Sequence, residues 1–461
     1  MPEDIDHSCR YPVMFLFTWA IVWLIVSLAF GLLGSIKMHA PGMLASIPAL
    51  TYGRVVAASS SALLWGFASQ AGIGIALWLF ARLGRAYLVL PRAGLMAAIL
   101  WNIAVLLGVC AILAGGMTQF RAYQMPLWTA PIFFVSFVVL GLSGLLTFVS
   151  RSERDLYPSM WFLFAAFFVF PWILMAAWLL LGHYTNIRGT LEPIVSIWFA
   201  NNFTLLWLGS IALAVLFYFI SKLSQQPLYS YAMAGFSFWF YLLLANASGF
   251  QNAAGLPNWM ANLSAVVNVL ILLPVGVMVY NWWKTSAGHN RVKKEKDIST
   301  KYVNFATFGF VSGILLQTID SCPVVDEGVG LTVFQLGLAD WIHYAFIAMA
   351  FFAAIYHIAP RLTEVDWPSV KTVGVHYGLT VAGIVILAGS LMLGGYVQGN
   401  AINNPGLPFN DVVRQTLPYI GFSTIGILLL LGAQLALLWN LALLAQAQFS
   451  ACCGGTREAN R

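Results

Sequence analysis

The chain has 461 residues, of which 60% are hydrophobic and only 8% are charged, and its mean hydropathy is +0.83. Soluble globular proteins carry about 25% charged residues, so this composition excludes that class. The formal net charge of +6 does not indicate a nucleic-acid partner, because the cations collect in the termini and in short segments between long apolar runs.

Twelve apolar runs of 15 to 32 residues follow one another along the chain. Most are long enough to cross ~30 Å of hydrocarbon as helices, and they lack the strict alternation of barrel strands. No long polar linker separates them, so we predict an all-α integral membrane protein with one membrane domain over residues 1–461. In chain order the runs are Val13–Ile36, Val55–Phe80, Ala93–Met117, Leu127–Val149, Met160–Leu181, Ile194–Ile220, Tyr229–Leu244, Met260–Trp283, Tyr302–Leu316, Val333–Ile358, Val373–Val397 and Val412–Leu443.

The distribution of positive charge predicts how these runs are oriented. Of 22 Lys and Arg residues, 17 lie in the termini or in the segments that follow even-numbered runs. The other five, on the opposite side, are Lys37, Arg54, Arg121, Arg188 and Arg414. Positive residues concentrate on the cytoplasmic side of membrane helices. The split therefore predicts that both termini are cytoplasmic and supports an even number of spans.

Ionisable residues inside the predicted spans are few, and each is a functional candidate because burying it in lipid is costly. Asp340 is the one carboxylate clearly within a run, and the histidines are His343, His357 and His376. On a helix, His343 and His357 lie 14 residues apart, which is roughly 21 Å, so they cannot ligate the same ion. Asp340 and His343 are three residues apart on one helical face, and we expect them to form a buried polar pair. The sequence leaves the roles of His357 and His376 open.

The cysteines do not indicate a metal site. The five of them follow no metal-ligand spacing, and no C-x-x-C-H motif for covalent haem is present. Cys452 and Cys453 are adjacent at the end of the last run, and their role also stays open. No internal repeat is evident along the chain.

Several segments resemble subunit I of the cbb-type cytochrome c oxidases, within the haem-copper oxidase and nitric oxide reductase superfamily. The similar segments include "LTYGRVVAASSSALLWGFASQ" at the second run, "EPIVSIWFANNF" at the sixth, "VGVHYGLTVAGIVILAGSLMLGGYVQG" at the eleventh and "LPYIGFSTIGILLLLGAQLALLWNL" at the twelfth. The resemblance covers nearly all of the runs in order. It implies a twelve-helix bundle in a bacterial inner membrane, with the activity of a cytochrome c oxidase.

The resemblance also implies six histidine ligands, and this chain lacks histidine at the matching positions. In the family, one histidine of helix two and one of helix ten hold a low-spin haem, and a second in helix ten holds a high-spin haem. One histidine of helix six and an adjacent pair after helix seven hold copper. The matching positions here, with a two-residue deletion inferred after the seventh run, are Ser59, Asn201, Gly249, Phe250, Leu338 and Asp340. The histidine that matches His376 is not a metal ligand in the family.

Three functions remain open from the sequence. The first is a structural or anchoring subunit of a respiratory or other redox complex, with no copper, no haem and no catalysis of its own. Its partners would be the other subunits, including a c-type cytochrome subunit, and lipid. The second is a redox enzyme that keeps one b-type haem through His343. The third is a channel, transporter or quinone-binding protein that reuses the emptied cofactor cavity, which we otherwise expect aromatic side chains such as Phe203, Trp207, Phe250 and Trp341 to fill.

Overall fold

The computed structural model describes residues 2–182, 189, 191–250, 257–287 and 298–458. Within these ranges every predicted run forms a helix, and the order is the predicted one. The helices are α1 (Pro2–His39), α2 (Tyr52–Gly84), α3 (Pro91–Ala114), α4 (Leu127–Val149), α5 (Pro158–Leu181), α6 (Leu191–Ser224), α7 (Tyr231–Ala247), α8 (Asn258–Ser286), α9 (Ser299–Asp320), α10 (Phe334–Thr363), α11 (Val370–Ile402) and α12 (Phe409–Glu458).

Eleven of these helices, all except α7, are long and apolar enough to cross a membrane. The α7 helix has 17 residues and is apolar but shorter. A 3₁₀ turn (Pro48–Leu50) precedes α2, and a short helix (Pro323–Val329) precedes α10. The described residues form no strand beyond one isolated bridge between Phe120 and Tyr123. The predicted all-α membrane bundle is confirmed. The side chains of Cys452 and Cys453 lie outside the described part.

Three helices form the centre of the bundle. In the most apolar 18-residue stretches of α2, α6 and α10, 100%, 94% and 89% of the residues are buried, against 39–50% in the other long helices. A helix that is apolar on all sides can be surrounded by protein, whereas the outer helices keep one face for lipid. The α2, α6 and α10 helices are therefore the ones that position buried groups.

The three central helices share a repeat in their backbone geometry. Each contains a π-helical segment, at Ala62–Ala68, Asn202–Leu208 and Trp341–Ala348. Each ends at a residue with left-handed backbone conformation, Arg85, Gln225 or Glu364. In all three helices this residue lies 23 positions after the first residue of the π segment. The repeat is mainly one of backbone geometry, and few residue types recur in it, such as the equivalent leucines Leu83, Leu223 and Leu362.

Close backbone approach fixes α9 against the π segment of α10. A Cβ atom added to Gly309 would lie 2.2 Å from the carbonyl oxygen of Ala345. Small residues allow membrane helices to pack at this separation, where van der Waals contact replaces the hydrophobic effect as the driving force. The π segment of α10 is thus held from one side by the backbone of α9.

Candidate functional site

The positions matched to copper ligands lie together in the fold. A Cβ atom added to Gly249 would lie 2.7 Å from Oδ1 of Asn201, so the segment after α7 does meet α6. Gly249 has a φ of +89°, a conformation that side-chain-bearing residues rarely adopt. Asn201 Nδ2 donates to the carbonyl oxygen of Ala245 at 2.7 Å, and Ser248 Oγ lies 3.3 Å from Asn201 Oδ1. The junction is closed by hydrogen bonds and close packing.

Phe250 completes this junction without supplying a ligand atom. Its backbone N–H donates to Ser264 Oγ at 3.0 Å, and its side chain is buried, as expected. Gly249 has no side chain, and phenylalanine carries no donor atom. Of these three matched residues, only Asn201 has side-chain atoms that could ligate a metal, and both of its polar atoms already have partners.

The position matched to the helix-two haem ligand is engaged with α1. Ser59 Oγ donates to the carbonyl oxygen of Ser27 at 2.9 Å, and Ser27 Oγ donates to that of Ser59 at 2.8 Å. Ser59, which matches the helix-two ligand, is therefore held by reciprocal hydrogen bonds within the chain.

The expected pairing of Asp340 with His343 is not formed. No hydrogen bond and no ion pair within 4.0 Å joins them among the described residues. His343 lies in the π-helical segment Trp341–Ala348. A π-helix has a wider turn than an α-helix, so residues three apart no longer lie on the same helical face. Nε2 of His343 is buried and has no hydrogen-bond partner. Leu338, the other helix-ten ligand position, is a buried apolar side chain.

Aromatic side chains fill the space beside α6. The rings of Phe203 and Trp207 are buried, and their centroids lie 4.9 Å apart. Trp207 also packs on Phe170 of α5 at 3.8 Å, and Phe203 packs on Trp65 of α2 at 4.9 Å. Trp341 differs from the other aromatic residues expected there, because its indole N–H donates to Ser312 Oγ of α9 at 2.9 Å.

His376 is part of a hydrogen-bonded group that joins four helices. Its Nδ1 lies 2.7 Å from the Tyr302 hydroxyl and 3.1 Å from the Tyr356 hydroxyl, and its Nε2 lies 3.4 Å from Oε1 of Gln434. The four residues belong to α9, α10, α11 and α12. Both ring nitrogens have partners, so His376 acts as a structural contact between helices.

His357 packs with one aromatic ring from each of the other two central helices. The rings of Trp78, Tyr218 and His357 lie 5.8 to 6.3 Å from one another, and each residue lies 16 positions after the start of its π segment. Four residues further along each helix lies a cation, Arg82, Lys222 or Arg361. Three basic residues therefore occupy equivalent positions near the ends of the three central helices.

One carboxylate from α1 pairs with the first of these cations. Asp6 Oδ1 accepts from the indole N–H of Trp78 at 2.8 Å, and its Oδ2 lies 3.4 Å from Arg82. Asp6 thus attaches the first turns of α1 to α2 by charge and by hydrogen bonding.

We expect Asp6→Asn to lower the stability of the bundle by about 1–3 kcal/mol, because it leaves the guanidinium of Arg82 without this buried carboxylate. Asparagine keeps a side-chain oxygen that can accept from the indole N–H of Trp78, so the loss of stability measures the effect of removing the charge. The control is Glu153→Gln, which removes the exposed partner of Arg85 and is expected to cost about 0–1 kcal/mol. Thermal unfolding in detergent measures both. Equal shifts for the two variants would contradict a special role of Asp6.

The residues at the six matched positions do not fit the haem and copper centres. Hydroxyl, amide, glycine, phenylalanine and leucine groups are not axial haem ligands, and they do not replace imidazole on copper. Among the described residues, no group of three or more His, Cys, Asp and Glu side chains is placed to hold a metal ion. His343 Nε2 is the one buried imidazole nitrogen at this level of α10 that is without a partner.

Comparison with known proteins gives the following similarities. The family model described as cytochrome c and quinol oxidase polypeptide I matches residues 11–429. The chain is 24% identical to a cytochrome c oxidase subunit 1 homolog of Azorhizobium caulinodans, over 95% of this chain and 83% of that protein. It is 22% identical to the Cbb3-type cytochrome c oxidase subunit CcoN1 of Stutzerimonas stutzeri, over 87% of each. A homolog from Agrobacterium tumefaciens is 23% identical, over 96% of this chain and 84% of that protein.

Proposed function

The chain belongs to the cytochrome c and quinol oxidase polypeptide I family, as its match over residues 11–429 shows, and on that premise we propose that it is a cofactor-free structural subunit of a membrane redox complex. It is a multi-pass membrane protein of the haem-copper oxidase subunit I type, and its named relatives are bacterial. We further propose that its membrane is the bacterial inner membrane and that its partners are other subunits, one of them a c-type cytochrome.

The closed junction at Asn201 and Gly249 carries this proposal. A histidine at position 249 would have to occupy the space of the Asn201 amide and adopt a positive φ. Restoring one histidine would therefore not rebuild the copper site, because neighbouring side chains occupy the space that the histidine would need. Ser59 and Ser27 close the low-spin position in a similar way, by reciprocal hydrogen bonds.

Purification of the tagged chain from its native membrane in mild detergent tests the proposal. We expect other membrane proteins to co-purify in fixed stoichiometry, and at least one of them to carry a redox group. A chain that purifies alone from native membranes at low detergent would contradict a structural role in a complex. Cross-linking in intact cells before solubilisation separates true absence of partners from their loss in detergent.

One alternative function has an observation of its own. His343 Nε2 is buried on a central helix with no hydrogen-bond partner, which is the state of an imidazole that could ligate iron. A redox enzyme with a single haem would use this nitrogen, and no second imidazole faces it at the Ser59 position. Haem analysis of the purified chain separates this alternative from the structural role.

The proposed orientation places both termini and the segment from Lys284 to Lys301 in the cytoplasm. We expect a Ser286→Cys variant, made after replacing the five native cysteines with serine, to resist a membrane-impermeant thiol reagent in intact cells, because this exposed residue ends α8 on the positive side. Asn404→Cys, between α11 and α12, is the matched control and should react. Labelling of Ser286→Cys without cell lysis would reverse the orientation.

A further inference from the structure

A cavity of about 360 Å³ lies where α1 ends and α12 begins. Its walls come from the end of α1, the start of α2, the segment before α10, the end of α11 and the first turns of α12. We propose that this cavity binds the anionic headgroup of a phospholipid, with Lys37 as the residue that recognises its charge. The proposal is independent of whether the chain holds a haem.

The principal observation is that the ammonium group of Lys37 is buried. Lys37 is only 6% exposed, and its Nζ donates to the carbonyl oxygen of Met43. An ammonium has three N–H donors, so two remain for other acceptors. No carboxylate lies within 4.0 Å of Nζ among the described residues. Lysine is almost never covered to this extent without an anionic partner, so the site requires an anion from outside the chain.

The other polar groups of the cavity add donors and no negative charge. Gln398 Oε1 accepts from the backbone N–H of Val333 at 2.9 Å, which leaves its Nε2 as a donor. Tyr52 contributes a hydroxyl at the start of α2. Thr416 uses its hydroxyl hydrogen on the carbonyl oxygen of Val412 at 3.0 Å. An ammonium, an amide and a phenol can together satisfy several oxygens of one oxyanion, and a phosphate diester has that many acceptors.

The remaining walls favour a lipid over a small soluble anion. They are formed by apolar side chains of α1, α12 and the segment before α10, namely Met38, Val333, Val413, Leu417 and Ile420. Val413 is 40% exposed, so the apolar wall continues onto the outside of the bundle. The site lies at helix ends, where the headgroups of a bilayer are found. The positive charge of Lys37 and the apolar side chains beside it match a lipid, in which a phosphate headgroup carries acyl chains.

The test uses delipidated protein in detergent, to which phosphatidylglycerol or phosphatidylcholine of the same acyl chains is added. We expect phosphatidylglycerol to raise the unfolding temperature of the wild type, and phosphatidylcholine to do so much less. Lys37→Met should weaken the apparent affinity for phosphatidylglycerol at least about tenfold, because the charge-assisted hydrogen bonds are lost. Lys37→Arg should retain most of the effect, since it keeps the charge.

The matched control is Arg414→Met, on the same end of α12. Arg414 is 80% exposed and paired with Asp411 at 3.6 Å, so its loss should leave the lipid effect unchanged. Without lipid, Lys37→Met should be at least as stable as the wild type, because methionine removes a covered charge and fills a similar volume. This expectation separates loss of a site from loss of the fold.

Three results would overturn the proposal. The first is a phosphatidylglycerol effect of undiminished size in Lys37→Met. The second is equal stabilisation of the wild type by phosphatidylcholine. The third is equal stabilisation by inorganic phosphate or acetate, which would assign the cavity to a soluble anion. Native mass spectrometry of the wild type, with and without added phosphatidylglycerol, gives a readout that does not depend on unfolding. One retained lipid that is absent from Lys37→Met would support the site.

Discussion

The purified chain is expected to show no Soret band, no b-type spectrum on reduction and no bound copper. The positions that match the family's histidine ligands are occupied by Ser59, Asn201, Gly249, Phe250, Leu338 and Asp340. None of these residue types is an axial ligand of the family's haems, and none replaces imidazole on copper. Oxygen reduction should be absent for the same reason.

The structure adds a second reason for this expectation. Ser59 and Ser27 hydrogen-bond to each other, and both polar atoms of the Asn201 amide are hydrogen-bonded, so these groups already have partners within the chain. Restoring one histidine, as in Asn201→His, should therefore leave oxygen reduction absent, because ligands that act as a unit are strongly non-additive. If the site were a functional centre with altered ligands, restoring one histidine could change oxygen reduction. A site whose space is filled by other side chains should show no such change.

The measurements are a reduced-minus-oxidised spectrum, extraction of haem as its pyridine complex and elemental analysis for copper. The Cbb3-type subunit of Stutzerimonas stutzeri, purified in parallel, is the comparison, and His343→Ala is the matched variant of this chain. A stoichiometric b-type haem in the wild type that disappears in His343→Ala would establish the haem-containing alternative. Activity restored by Asn201→His alone would show that the site had not been repacked.

A side chain at position 249 is expected to be among the most destabilising single substitutions in the bundle. The φ of +89° costs a residue with a Cβ roughly 1–2 kcal/mol. The added Cβ would also lie 2.7 Å from Asn201 Oδ1 and 2.9 Å from its Cγ, and overpacking of this kind costs about 1–3 kcal/mol. Gly249→Ala should therefore lose about 2–5 kcal/mol, and Gly249→His at least as much.

The control is Gly276→Ala on α8, where an added Cβ meets nothing within 4 Å and the backbone is helical. That change should be neutral or stabilising by up to about 1 kcal/mol, because alanine is the better helix former. Asn201→Ala combined with Gly249→Ala should recover the packing part of the loss and leave the backbone part. If Gly249→Ala is as stable as Gly276→Ala, the junction between α6 and the segment after α7 is looser than the structure indicates.

The positions of the helices could be predicted from the sequence, and some helix ends were predicted to the exact residue. The predicted run Leu127–Val149 has the same bounds as α4, and the predicted Met160–Leu181 ends where α5 ends. A membrane imposes this simplicity, because a chain in hydrocarbon must satisfy its backbone groups internally and has few ways to do so. Helix ends were less accurate where polar residues continue the helix, as in α9, which extends from the predicted Leu316 to Asp320 through buried Gln317 and Thr318.

The candidate site was only partly determined by the sequence. Alignment by resemblance identified Asn201 and Gly249 as partners, and the fold places them together. The pairing of Asp340 with His343 was wrong, because it assumed α-helical spacing in a segment that is π-helical. Over a segment of eight residues, the pattern of apolar and polar residues does not distinguish a π-helix from an α-helix.

Only the tertiary structure showed that the rings of Trp78, Tyr218 and His357 meet, and that Lys37 is buried. These three residues differ in type, yet equivalent positions on the three central helices bring their rings within 6.3 Å. From the sequence, Lys37 was only one of the five cations on the side opposite the termini. Hydropathy assigns each residue to lipid, protein or water by its own type. Burial depends on which distant segments cover that residue, and this is decided by packing.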